Sequence, residues 1–110
     1  MSVVIIEKMI TADQLSLARE EYPNYIKVVI DIERGVLAAG GEWHADAEEI
    51  LLKQGSKQEH LWGGGVDLVT KTVEFNSLIN TRPGLSNSQE VLDLQIRSKM
   101  EEIIRSLFEL

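Results

Sequence analysis

The stretch Ile26-Lys27-Val28-Val29-Ile30-Asp31-Ile32 is the strongest strand signal in the chain, and its link to a second apolar run constrains the fold most. β-Branched side chains suit a pleated, packed surface better than a helix. Glu33-Arg34-Gly35 then reads as a turn, since Gly35 can take positive φ at no steric cost, and Val36-Leu37-Ala38-Ala39 reads as the returning strand. Two apolar strands joined so closely make an antiparallel hairpin. Gly40-Gly41 breaks the second strand, and residues 42–54 take up helical spacing, with Ala47, Ile50 and Leu51 on one face. Lys53 suits the last turn of that helix and Gly55 the position just past it.

The flanking segments carry weaker signals. Residues 3–7 form a short β-branched run. Thr11-Ala12-Asp13-Gln14 has the spacing of a capping box, opening a short helix with Leu15, Leu17 and Ala18 inward and Pro23 closing it. Residues 56–60 read as a polar loop, and Gly63-Gly64-Gly65 after Trp62 as tight turning with close backbone approach. Residues 66–75 are β-rich, and Ser77-Leu78-Ile79 extends them. Pro83-Gly84 marks a turn within residues 80–87, and residues 88–92 read equally as strand or helix. Val91, Ile96, Met100, Ile103, Ile104 and Leu107 recur at helical spacing, so a last helix runs from about Asp93, its N-cap, with Phe108 off the stripe. The expectation is an α+β fold, a mostly antiparallel sheet with about three helices packed on it, in a single domain over residues 1–110.

Charge and composition exclude several functions. With 11 Lys plus Arg against 18 Asp plus Glu, the net charge is −7, which disfavours nucleic acid as a partner. There is no cysteine, hence no disulfide, thiolate metal site or catalytic thiol. No apolar run approaches the ~20 residues that span a bilayer, and Glu7 interrupts the amino-terminal apolar run before it resembles a signal peptide. A cytoplasmic setting without membrane contact is the expectation.

The acidity is densest at residues 42–49, where Glu42, His44, Asp46 and Glu48 alternate. All four side chains can ligate a divalent cation, and on an extended segment all four would share a face. On a helix His44 and Glu48 share a face and Asp46 points away, so the plainer reading is that Asp46 or His44 caps the helix. His44, Asp46 and Glu48, with Arg82 across a cleft, are the candidate catalytic residues; Glu42, His44, Asp46 and Glu48 are the candidate metal ligands. Arg82 can clamp a carboxylate or phosphate, or pair with the carboxylates of residues 42–49. Ser56, Ser77 and Ser86 lie in no Gly-x-Ser-x-Gly elbow, and neither glycine group matches a nucleotide-binding fingerprint. No cofactor is indicated.

The block from Val29 to Glu48, including Gly40-Gly41-Glu42-Trp43-His44-Ala45-Asp46-Ala47-Glu48, resembles the signature of a family of short prokaryotic proteins of unknown function. Gly55-Ser56-Lys57-Gln58 with Leu61-Trp62-Gly63 is similar to its second block, and Ser77-Leu78-Ile79-Asn80-Thr81-Arg82-Pro83 with Asn87 to its third. The resemblance covers roughly residues 26–97. Ser88 stands where relatives carry an arginine, and Thr81 where they carry an apolar residue. The resemblance implies no activity.

Function divides into two expectations. The first is a non-enzymatic protein-interaction or homo-oligomeric module, with Phe108 as a surplus apolar residue for a dimer interface. The second is a small enzyme, or a divalent-cation or ligand-binding protein, built on His44, Asp46 and Glu48.

Overall fold

A computed structural model describes residues 2–84 and 86–110. Among these residues five antiparallel strands form one sheet: β1 (Val3–Ile6), β2 (Tyr25–Asp31), β3 (Val36–Gly40), β4 (Leu61–Asp67) and β5 (Thr72–Glu74), in the order β1-β3-β2-β4-β5. Among the described residues three α-helices accompany them: α1 (Ala12–Ala18) between β1 and β2, α2 (His44–Lys53) between β3 and β4, and α3 (Leu94–Phe108) after β5. The fold is α+β, as expected.

Strand alternation divides the core in two. Ile26, Val28 and Ile30 of β2, Leu37 and Ala39 of β3 and Trp62 and Val66 of β4 pack with Met100, Ile104, Leu107 and Phe108 of α3 and Ala18 of α1. On the other face Val29, Val36, Ala38 and Leu61 pack against Ala47 and Leu51 of α2. With helices on both faces, β2 and β3 are apolar on both sides, hence their near-continuous hydrophobic runs.

The hairpin turn is stitched to the loop after α2. Asp31, fully buried, accepts the Glu33 and Arg34 amides at 3.0 and 2.9 Å through Oδ1 and the Ser56 hydroxyl at 2.7 Å through Oδ2. Arg34 also donates to Ser56 Oγ at 2.7 Å. Ser56 is thus a buried strut. The capping box at α1 is present in both directions, Thr11 accepting from Gln14 N–H and Gln14 reaching back. The helix ends at Ala18, well before Pro23. Asp93 caps α3 by accepting the Gln95 and Ile96 amides.

Four expectations need correction. Trp62, Gly63, Gly64 and Gly65 are not a turn but the buried part of β4, paired with β2 along its whole length. Residues 78–80 leave the sheet as a turn of 3₁₀-helix capped by Ser77, whose hydroxyl accepts the Ile79 amide. α2 has Trp43 as N-cap with no side-chain cap bond, so neither His44 nor Asp46 caps it. Phe108 is only 7% exposed and belongs to the core. Met100, Ile104, Leu107 and Phe108 stand at i, i+4, i+7 and i+8, one face of a helix.

β4 outruns its partner on one side. β5 pairs only with Gly65, Val66 and Asp67. Beyond it the Asn80 side chain replaces a strand: Oδ1 accepts the Gly63 amide at 2.8 Å, and Nδ2 donates to the Gly63 carbonyl at 3.0 Å and the Gln89 carbonyl at 2.9 Å.

Candidate functional site

Three consecutive glycines in a buried strand forgo packing and cost conformational entropy. Their surroundings supply the reason. A Cβ on Gly65 would overlap the Tyr25 phenol, one on Gly63 the Ser77 side chain, and one on Gly64 the Glu74 carbonyl. Bare backbone at Gly63 and Gly65 lets two hydroxyl side chains settle onto the sheet on the α2 face. Above the same strand the His44 ring comes down from the first residue of α2, its Nε2 2.7 Å from the Gly64 carbonyl.

Tyr25, Lys27, Trp43, His44, Glu74 and Ser77 thereby line a cleft of about 350 Å³. The carbonyl of Gly64 can only accept, so Nε2 carries the proton and the lone pair of neutral His44 lies on Nδ1. Burial pushes the His44 pKa below the usual imidazole value of 6.5, and the Lys27 charge adds to the fall; the Gly64 hydrogen bond opposes it. Tyr25 donates to Glu74 Oε1 at 3.2 Å. Burial, then the Glu74 charge, this hydrogen bond and the Asp67 charge, push its phenol up to about 12. Lys27 Nζ donates to the Glu42 carbonyl at 2.6 Å and lies 5.5 and 5.8 Å from the Trp43 and Tyr22 ring centroids. Trp43, 58% exposed, forms one lip and Leu78, also exposed, another.

The depressed His44 pKa makes a prediction. Below pH 6.5 the unfolded chain binds more protons at this residue than the folded one, so stability falls with falling pH through the window under 6.5. A denaturation series from pH 7.5 downward should show this loss, and His44→Gln should flatten that part of the curve. An unchanged slope in His44→Gln would contradict it.

Of the residues singled out in the sequence, the cleft takes His44 and Ser77. Asp46 and Glu48 continue along α2, half-buried, and do not line it. Glu42 contributes its carbonyl to Lys27. Among the described residues no three His, Asp or Glu side chains gather closely enough to hold a metal ion. Arg82 faces elsewhere. Its guanidinium donates to the carbonyls of Ile79, Gln58 and Leu61 and stacks on Trp62, 4.5 Å from the ring centroid. Burial lowers its pKa and the Glu48 charge opposes that. Arg82 is a clamp on three backbone carbonyls in two chain segments, and its planar fork of donors is suited to that.

Tyr25, Lys27 and Glu74 escape a reading of the sequence alone. The available signal was alternation: Tyr25 and Lys27 occupy the same face of β2, and Glu74 lies across Gly65 from Lys27. A larger hollow, about 430 Å³, opens beside Trp62 but gathers mainly aliphatic and small polar side chains, with Asp93 already committed to capping α3.

Fold and cleft together define a small α+β domain with a polar pocket on one face of an antiparallel sheet. The chain belongs to a family described as "Protein of unknown function (DUF5674)", which matches residues 4–107. No curated protein and no solved structure matches it. Among the described residues no helix is long and apolar enough to cross a membrane.

Proposed function

We propose that this is a small-molecule-binding domain whose site is the cleft on the α2 face of β4, over Gly63 and Gly65. The observation that carries the reading is the glycine floor itself. On the cleft face an interior strand gives up two side chains, at Gly63 and Gly65, and the space is taken by Ser77 and Tyr25, with His44 bonded to the same strand at Gly64. Local rules of foldability are broken mainly where a site requires it. The cleft mixes aromatic and aliphatic lips with a few convergent polar groups, the usual composition of a ligand pocket. His44 offers an acceptor at Nδ1, Ser77 and Tyr25 offer hydroxyls, and Lys27 and Glu74 offer opposite charges. A cytoplasmic setting suits a chain without cysteine.

The test is amide-resolved NMR with indole, acetamide, acetate and methylammonium added singly at millimolar concentration. The expected result is shifts clustered at Gly63, Gly64, Gly65, His44 and Ser77. Shifts confined to the hollow beside Trp62, or none at all, would overturn the reading.

A non-enzymatic interaction or homo-oligomeric module is the second reading. Burial of Phe108 removes one motive for it, but exposed Leu92 and Leu94 at the start of α3 favour a partner there.

A further inference from the structure

The charged residues of the cleft are arranged across the sheet in a single row. Lys27 pairs with Gly65, and Gly65 pairs with Glu74. Directly paired residues share a face, so Lys27 and Glu74 stand on either side of a position that has no side chain. Two strand spacings set their backbones roughly 9.6 Å apart. The Tyr25 hydroxyl lies over the gap, bonded to Glu74.

Neither charge is neutralised by its counterpart. Among the described residues Lys27 and Glu74 take part in no ion pair, although other Lys, Arg and Glu side chains do. Lys27 is half-buried, and its ammonium spends one donor on the Glu42 carbonyl, which leaves two. The Trp43 and Tyr22 rings hold it at the cleft edge without supplying a counter-ion. At the other end Glu74 receives the Tyr25 hydroxyl on Oε1 and retains Oε2.

From this row we infer that the ligand of the cleft is a small zwitterion of amino-acid type, its carboxylate on Lys27 and its ammonium on Glu74. The inference rests on the cleft reading and adds the chemical class. One cation and one anion, kept apart by a glycine and facing one cavity, match a molecule with the complementary charges on a short spacer. A purely anionic ligand would meet Glu74, and a purely cationic one Lys27; each loses at one end what it gains at the other.

The experiment compares glycine, β-alanine and 4-aminobutyrate with acetate and methylammonium, in the same NMR titration on the full chain. At least one zwitterion should bind about tenfold more tightly than either singly charged probe, because two charge-assisted hydrogen bonds replace one. Lys27→Met and Glu74→Gln should each abolish that preference while acetamide shifts persist, which also shows that the variants fold. Singly charged probes that bind in the cleft as tightly as every zwitterion would overturn this inference and leave the cleft reading standing. No cleft shifts from any probe would overturn both.

Discussion

Gly64→Ala should be among the most damaging single-methyl changes in the chain, destabilising it by about 3 kcal/mol through overpacking. That corresponds to a fall in melting temperature of roughly 12 °C for a domain this size. The added Cβ would overlap the backbone carbonyl of Glu74, which β5 pairing holds in place, with Met100 at 3.4 Å on the same side. Neither strand can yield without breaking the Gly65–Glu74 pair. Gly35→Ala is the contrasting change. Gly35 has φ +70° but nothing within 4 Å of an added Cβ, so only the left-handed backbone cost of about 1 to 2 kcal/mol applies. Thermal denaturation of the two variants side by side checks the ranking, and equal losses would show that the close approach at Gly64 is unimportant.

Asn80→Leu is the second large effect. The substitution keeps the γ-branched shape and heavy-atom count but removes one acceptor oxygen and one NH2 group that together bond to Gly63 N–H, Gly63 C=O and Gln89 C=O. Asn80 is fully buried, so these groups find no replacement in solvent. Leaving buried backbone groups unpaired costs about 1 to 3 kcal/mol each, and a total of at least 3 kcal/mol is expected. The Gly63 amide should also lose its protection from hydrogen exchange before the rest of β4. Retained protection there would mean that strand pairing, not Asn80, holds this part of the edge.

Legibility in the sequence tracks locality. The hairpin of β2 and β3, the Thr11 capping box and the Asp93 cap each depend on residues a few positions apart, and each is readable. β4 is not, because Gly63, Gly64 and Gly65 have poor strand propensity and their pairing with β2 is dictated by residues more than thirty positions away. Phe108 falls outside the narrow apolar stripe of α3 because the buried face of that helix is wider than the stripe. His44 stands out in the sequence for its carboxylate neighbours, yet its partners are Gly64 and Lys27. Tyr25, Lys27, Glu74 and Ser77 meet His44 only once β2, β5, α2 and the 3₁₀ turn after Ser77 are assembled. Arg82 has the chemistry to meet an anion; burial among backbone carbonyls gives it other work.

The close packing over the three glycines of β4 also determines how such a protein can diversify. Positions 63 to 65 cannot accept a side chain without expelling Tyr25, Ser77 or the Glu74 backbone. Under the proposed binding role, a change of ligand would fall on the walls, at Lys27, Trp43, Glu74 and Leu78, which belong to different elements. The sheet would then be a fixed stage, with selectivity carried by a few side chains at its margins.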